Sequence, residues 1–349
     1  MNASRLSAGI AVISAADLAA RTTLRLPGRA RWLAEIDDPA ALPELLAQPR
    51  WRGVPRLVLG GGSNMVVTGD VDGLVLHPRF AGRRLIVDGS DALLEADAGH
   101  DWSALVEWSV GRGWSGLENL GLIPGQCGAA PLQNIGAYGV ELAERLAWVE
   151  WLDLQRGTVH RFSAERCAFG YRDSWFKQQP PGTLLVLRIA LRLQREAPLR
   201  IDYPGLAAQL EAAGVRRPDV RSVHAAVCAL RRRKLPDPAC LPNAGSFFKN
   251  PLVDAVRAAA LRARHPGMPC WAQADGRCKL SAAWLVEAAG FKGVRRGAVG
   301  VAADHALVLV HHGGGQGAQL LALAAEIVSA VQQGFAVNLE REPVCMPSG

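Results

Sequence analysis

The residues best suited to acid–base chemistry in this chain are a serine, an arginine and a glutamate in separate short motifs. Ser246 lies in NAGSFFKNP (243–251), after a glycine and beside two aromatic residues. The motif is not G-x-S-x-G, and no histidine close in sequence suggests itself as an activating base. A hydroxyl without such a base is better suited to donate a proton to a basic carbanion than to attack a carbonyl. The alternative is a turn serine that binds its own backbone.

Three further clusters carry charge. Arg172 lies in FGYRDS (169–174), where a buried guanidinium would suit a carboxylate or phosphate, and the alternative is an exposed ion pair with Asp173. Lys234 ends the run RRRK (231–234), which could bind a diphosphate or a flavin edge, or could simply complement a helix C-terminus. Glu342 lies in LERE (339–342), which by itself reads as a solvated charged tail.

Two glycine-rich segments could bind a ligand through their backbone. The run GGGSN (60–64) lies between predicted strand segments at 56–59 and 65–67, so its N–H groups could form an anion-binding nest, or it could be a tight hairpin turn. It is neither G-x-G-x-x-G opening a helix nor a P-loop. The second segment, at 116–142, holds six glycines and only two charged residues. Its apolar residues predict a buried loop, which either donates its polar groups to a flat, polar-edged cofactor or packs on itself.

Composition narrows the function classes. The 349 residues are 49% hydrophobic and 20% charged, which predicts a globular protein of two or three domains. The net charge of +7 suits anionic ligands, and because aromatic residues do not interleave with the basic cluster, nucleic acid is not predicted. The seven cysteines lack C-x-x-C, so we expect reduced thiols in a cytoplasmic protein and no metal site. Neither a signal peptide nor a membrane span is predicted.

The elements that must position these motifs mix helices and strands, which predicts an α+β fold. Residues 30–50 are predicted to hold a helix with Asp38-Pro39 at its start, and 148–154 with 158–162 a hairpin. A helix capped by Ser222 ends at the basic run, before the prolines of LPDP (235–238). The other predictions are helices at 103–110, 254–265, 281–289 and 319–332, and strands at 74–76, 85–87, 93–96, 185–193, 306–310 and 335–339.

Taken together, the motifs resemble the family of UDP-N-acetylenolpyruvoylglucosamine reductases, flavoenzymes of peptidoglycan synthesis. The resemblance covers nearly the whole chain, and YPGL at 203–206 is similar to the subclass with an extra tyrosine-bearing loop. The family's motifs occur in order: LGGGSN (59–64), GLENLGLIPGQCGAAPLQNIGAYGVEL (116–142), FGYRDSWFK (169–177), RRRKLPDP (231–238), NAGSFFKNP (243–251), KLSAAWLVEAAGFKG (279–293) and LERE (339–342).

The resemblance implies a three-domain α+β flavoenzyme with an FAD-binding region of the vanillyl-alcohol-oxidase type. The implied domains are 1–77 and 78–235 for FAD, 236–338 for substrate, and a tail at 339–349 that returns to the active site. The implied reaction is the NADPH-dependent reduction of UDP-N-acetylglucosamine enolpyruvate to UDP-N-acetylmuramate through FAD. The family is typically monomeric, so a monomer is expected.

By position in the family's motifs, Arg172 and Glu342 are the implied stabilisers of negative charge, and Ser246 is the implied proton donor. The implied substrate-binding residues are Tyr203, Lys234 and Asn250. The implied FAD-binding residues are Gly60, Gly61, Gly62, Ser63, Asn64, Ile123, Pro124, Gly125, Gly136, Ala137, Tyr138, Gly139 and Arg231.

This sequence departs from the family's pattern in two places. The tail after Glu342 begins with Pro343, which has no N–H and cannot pair within a central strand. Residues 22–32 lack a glycine pair that many members carry, so their flavin contacts stay open. The competing hypotheses are an FAD oxidoreductase of the same fold acting on another sugar or alcohol, and a basic binding protein without enzyme activity. The motifs around Ser246 and Glu342 count against the first, because flavin binding alone does not require them.

Overall fold

The structure is a computed structural model that describes residues 3–7 and 9–347. In that part of the chain the strands are β1 (Ala3–Ser7), β2 (Ile10–Asp17), β3 (Arg29–Ile36), β4 (Arg56–Val58), β5 (Met65–Val67), β6 (Val71–Pro78), β7 (Arg83–Asp88), β8 (Asp91–Asp97), β9 (Gly136–Ala137), β10 (Val140–Glu141), β11 (Leu146–Asp153), β12 (Val159–Ser163), β13 (Leu184–Gln194), β14 (Asn243–Ser246), β15 (Leu252–Val253), β16 (Cys270–Ala272), β17 (Cys278–Leu280), β18 (Arg295–Arg296), β19 (Val299–Val301), β20 (Val308–His311) and β21 (Val344–Met346). The helices are α1 (Leu42–Ala47), α2 (Trp102–Gly111), α3 (Leu206–Ala212), α4 (Val220–Lys234), α5 (Ala255–Arg264), α6 (Ala282–Ala288) and α7 (Gly317–Phe335).

The chain divides into two compact units, each built from several segments. The first comprises residues 1–16, 30–62 and 71–233, and the second comprises 17–29, 63–70 and 234–349. Both mix sheets with separate helices, in agreement with the predicted α+β class. The finer division into three domains and a tail stays a prediction.

The first unit contains two five-stranded sheets. One has the strand order β1-β2-β3-β6-β4, in which β3 and β4 each run parallel to β6. The other has the order β12-β11-β13-β8-β7 and is antiparallel throughout. Its β11–β12 hairpin confirms the prediction for 148–162. Side chains from both sheets, from α1 and α2 and from the loop at 116–142 share one apolar core.

The second unit is built around a four-stranded antiparallel sheet with the order β14-β20-β19-β18. A smaller sheet has the order β15-β17-β16, and β21 pairs in parallel with β5. The longest helix, α7, buries one face that includes Leu320, Leu323 and Ile327. Among the described residues, none of the helices has both the length and the apolar character to cross a membrane.

Two predicted elements and one predicted helix cap are wrong. Helix α4 begins at Val220, so Ser222 lies inside it, and the side chain of Asp219 accepts from the N–H of Ser222 at 2.7 Å. In the region 30–50 the helix is limited to α1, and residues 30–36 belong to β3, which pairs with β6 about forty residues later in the chain. The residues of β3 do not strongly favour a strand on their own. Pairing with β6 determines the strand instead. The predicted strand at 335–339 is also absent: α7 extends to Phe335, and Ala336 ends it in the left-handed conformation with φ 53°.

Candidate functional site

The glycine turn and the long loop, which the sequence singles out separately, lie against each other in the first unit. A Cβ added to Gly61 would come within 2.8 Å of the Cα of Gly125, and one added to Gly60 would lie 3.4 Å from the Cβ of Ala129. The contact is therefore between main chains, and it requires glycine at position 61. The structure thus brings together residues 60, 61 and 125 of the predicted cofactor set.

The loop at 116–142 is buried, as predicted, and its main-chain groups bond largely to neighbouring backbone. The N–H of Trp102 donates to the Gly125 carbonyl, and the N–H groups of Cys127 and Gly128 donate to the carbonyls of His100 and Ala98. Three non-glycine residues adopt the left-handed conformation, with φ 55° at Leu122, 44° at Asn134 and 50° at Tyr138. Such backbone is tolerated only where surrounding contacts fix it.

The amide of Asn134 supplies several of those contacts. Its side-chain oxygen accepts from the N–H of Ala143 at 3.0 Å, and its nitrogen donates to Glu141 at 2.7 Å and to the Gly170 carbonyl at 3.1 Å. Sequence reasoning did not assign this residue. The available signal was a polar side chain in a loop whose composition predicted burial.

Arg172 is positioned by the same loop. The hydroxyl of Ser174 donates to the Leu132 carbonyl at 2.7 Å, which ties the 169–174 motif to the loop. One guanidinium nitrogen of Arg172 donates to the Gly136 carbonyl at 3.0 Å, and the other lies 3.2 Å from where a Cβ of residue 136 would be. Gly136 therefore leaves room for the guanidinium. The backbone of Arg172 is itself left-handed, with φ 56°.

Basic and phenolic side chains lie close to Tyr138 of the loop at 116–142. The ring of Tyr138 lies edge-on to the ring of Tyr203, with 5.0 Å between centroids. Burial raises the pKa of the Tyr138 phenol, and nearby Arg231 opposes that shift. Burial lowers the pKa of the Arg231 guanidinium, and Arg172 acts in the same direction. Because burial and the charge of Arg172 both disfavour the charged form of Arg231, an anionic ligand beside Arg231 would stabilise that charge.

In the second unit the structure places Ser246 and Glu342 on neighbouring extended segments. Ser246 ends β14, and the following residue, Phe247, accepts from the N–H of Glu342 at 2.9 Å. Two residues further on, the N–H of Lys249 donates to the Glu340 carbonyl at 2.9 Å. The LERE motif therefore runs antiparallel to the SFFK motif. Both Ser246 and Glu342 are half-buried.

The tail beyond Glu342 docks as a strand in spite of Pro343. The proline lies just before β21, so the ladder with β5 does not need its missing N–H. The N–H of Val344 donates to the Asn64 carbonyl at 3.0 Å, and the side chain of Asn64 donates to the Glu342 carbonyl at 3.3 Å. The end of the glycine-turn motif thus fixes the backbone at Glu342.

The remaining predicted substrate residues also lie in the second unit. The side-chain oxygen of Asn250 accepts from the N–H of Ala282 at the start of α6, at 2.9 Å. Lys234 is exposed at the end of α4. Burial lowers the pKa of His305, and the positive charge of Lys234 adds to the effect.

The other predicted cofactor residues lie in the two segments already described: Ile123, Pro124, Ala137 and Gly139 in the loop, and Gly62 and Ser63 in the turn.

The first unit fits a large cofactor that packs against glycine backbone and meets positive charge. Its glycine turn and glycine-rich loop offer main chain without side chains, and Arg231 and Arg172 supply positive charge beside them. The side-chain oxygen of Gln126 is buried next to Gly60 and has no hydrogen-bond partner among the described residues. Its nitrogen donates to the Pro78 carbonyl at 3.1 Å, which leaves the oxygen as an acceptor for a ligand hydroxyl or amine.

Comparisons with known proteins agree with these features. The model of the family "FAD binding domain" matches residues 31–163, and that of "UDP-N-acetylenolpyruvoylglucosamine reductase, C-terminal domain" matches 237–346. The UDP-N-acetylenolpyruvoylglucosamine reductase of Pseudomonas aeruginosa is 52% identical, over 92% of this chain and 95% of its own. The reductase of the same name from Azoarcus sp. is 50% identical, over 96% and 98%. The crystal structure of the Thermus caldophilus reductase matches with a TM-score of 0.64 at 27% identity, covering 96% of this chain and 98% of its own.

The contact between the glycine turn and the loop predicts the effect of a single methyl group. In Gly61→Ala the new Cβ would meet main chain, so the turn and the loop must separate, and we expect the purified protein to lose most of its bound FAD. Gly111→Ala is the matched control in the same unit, because a Cβ there meets nothing within 4 Å. The measurement is the ratio of the visible flavin band to protein absorbance. Equal FAD content in the two variants would contradict this account of the cradle.

Proposed function

We propose that this chain, which belongs to the UDP-N-acetylenolpyruvoylglucosamine reductase family, reduces the enolpyruvyl group of its UDP-sugar with electrons from NADPH. It is an oxidoreductase of peptidoglycan synthesis, and FAD is its cofactor. The proposal adds the electron donor and the product, UDP-N-acetylmuramate. The observation that carries it is the pairing of the Ser246 and Glu342 segments in the second unit. When an enolpyruvyl group accepts a hydride, one group must stabilise the negative charge that develops and another must donate a proton.

FAD, when bound and reduced by NADPH, would supply a hydride for the vinyl CH2 carbon of the substrate. Negative charge then develops on the adjacent carbon and its carboxylate as an enediolate. Arg172 stabilises that charge with a guanidinium whose place is fixed by the Gly136 carbonyl, and Glu342, in its protonated form, donates a hydrogen bond. Ser246 then transfers its hydroxyl proton to the adjacent carbon, which completes the saturated lactyl ether.

We assign the UDP part of the substrate to Tyr203, Lys234 and Asn250, and the flavin edge to Arg231. The cations of this set suit a diphosphate, and Tyr203, a residue that is 37% exposed, offers an aromatic ring. The net charge of +7 favours the approach of two anionic ligands, NADPH and the UDP-sugar. Cytoplasmic location and a monomeric state stay predictions.

The direct test is NADPH oxidation by the FAD-loaded protein with and without UDP-N-acetylglucosamine enolpyruvate. Without the UDP-sugar we expect about one NADPH to be oxidised per bound FAD, and with it we expect continued oxidation of one NADPH per molecule of UDP-N-acetylmuramate, the product identified by mass. The control for a general flavin oxidoreductase is reduction of the bound FAD by a simple alcohol or sugar in the absence of NADPH. Turnover of the control substrate in place of the UDP-sugar would contradict the proposal.

Ser246→Ala separates the two half-reactions. We expect the bound flavin to be reduced by NADPH at the parent rate, because the serine has no part in that step. Oxidation of the reduced flavin by the UDP-sugar should slow by about 10²–10⁴-fold, the usual contribution of a positioned proton donor. Stopped-flow absorbance of the flavin measures both steps. A parental rate in the second step would show that another group supplies the proton.

Glu342→Gln has a matched control two residues away. Glu340 lies in the same segment, and its carboxylate is 72% exposed and paired with Lys249. We expect Glu342→Gln to retain FAD and to slow the second half-reaction by roughly 10²-fold or more, since it loses an acidic proton near the developing charge. Glu340→Gln should behave as the parent. If Glu342→Gln lost FAD, or if both variants slowed equally, Glu342 would be structural.

A further inference from the structure

Asn119 is a buried amide in the long loop that joins two separate parts of the first unit. It is 1% exposed, and its side-chain nitrogen lies 2.9 Å from the carbonyl of Tyr138 and 2.9 Å from the carbonyl of Arg200. An amide nitrogen carries two hydrogens, so it can donate one to each carbonyl. The side-chain oxygen is buried without a partner among the described residues. The opposite orientation would set that oxygen against two carbonyls, so the amide is fixed in this one.

The Arg200 carbonyl belongs to a connecting segment, residues 195–205, between β13 and α3. It contains neither helix nor strand. Leu199 and Ile201 pack against the apolar cluster that includes Tyr138 and Leu206. The Arg200 side chain forms an ion pair with Glu144 at 3.4 Å, but both groups are more than a third exposed, so water and salt weaken it. The hydrogen bond from Asn119 instead comes from a side chain that is almost fully buried.

The segment ends next to the aromatic pair described above. Tyr203 follows three residues after Arg200, and its ring meets the ring of Tyr138 edge-on. The carbonyl of Tyr138, whose backbone is left-handed, is the second acceptor of Asn119. One side chain therefore fixes the backbone on both sides of the Tyr138–Tyr203 contact.

We propose that Asn119 is a positioning residue that holds the 195–205 segment next to Tyr138 of the loop at 116–142, and so positions Tyr203 for the UDP-sugar. The inference rests on the proposed function, which gives Tyr203 its ligand. Asn119 itself touches neither ligand in this account. Its effect on binding passes through the fraction of molecules in which the segment is docked, because only those present Tyr203 correctly.

The test replaces the amide by an apolar group of similar shape, Asn119→Leu, in the FAD-loaded protein. We expect trypsin to cut after Arg195 or Arg200 about tenfold faster, since two hydrogen bonds that hold the segment are lost. The KM for the UDP-sugar should rise by roughly three- to tenfold while kcat at saturation stays within about twofold of the parent. FAD content and melting temperature are measured alongside. Asn119→Ala serves if the leucine variant does not retain FAD.

The matched control is Glu144→Gln. It removes the ion pair to Arg200 but keeps an oxygen for the N–H of Glu141, which Glu144 accepts at 2.8 Å, and it leaves both Asn119 hydrogen bonds in place. We expect parental values for tryptic cleavage and KM. Any general effect of loosening the surface around Arg200 would appear in this control.

The outcomes separate the tether from the function. Unchanged cleavage in a fully FAD-loaded Asn119 variant would contradict the proposal that Asn119 holds the 195–205 segment. Faster cleavage with an unchanged KM would contradict the proposal that this positions Tyr203. Equal changes in the Glu144→Gln control would also overturn the assignment to Asn119. If the parent protein did not turn over the UDP-sugar, the proposed function would fail, while the tryptic rates would still decide whether Asn119 holds the segment.

Discussion

A loop of 27 residues that is buried in a core must satisfy its own main-chain hydrogen bonds, and the first unit depends on that constraint. Buried carbonyl and N–H groups without partners are costly, and this loop contains only short pieces of regular structure. Neighbouring turns, together with the buried amides of Asn119 and Asn134, supply the partners. The loop can therefore hold a defined shape with glycines at the positions where another backbone approaches.

The same constraint explains where charge is found. The loop carries only two glutamates, and the positive side chains around it, Arg172 and Arg231, come from other segments. One nitrogen of the Arg172 guanidinium donates to the Gly136 carbonyl, so the loop backbone fixes the position of this positive charge. Fixed cations beside a neutral backbone cradle suit a ligand that is polar along its edge and anionic at one end.

The sequence predicted the elements whose causes are local. The β11–β12 hairpin follows from short apolar runs on either side of a Gln-Arg-Gly turn, and α2 follows from its apolar spacing and terminal glycines. It failed for β3, because that strand is specified by parallel pairing with β6 and not by its own residues. The candidate site follows the same division. Short motifs predict roles for Ser246, Arg172 and Glu342, and these stay predictions, whereas the hydrogen bonds of Asn119 were not predicted because its second acceptor lies 81 residues away.

The tail departs from the family's sequence pattern at Pro343, but this proline does not disturb the backbone position of Glu342 before it. Pro343 excludes a ladder hydrogen bond at one position, and the chain places that position just before β21. On one side of the proline, Glu342 bonds through its N–H to Phe247 and through its carbonyl to Asn64. On the other, β21 pairs with β5. The backbone of Glu342 is thus fixed before the proline is reached, and because Phe247 directly follows Ser246, fixing Glu342 also fixes its relation to the proposed proton donor.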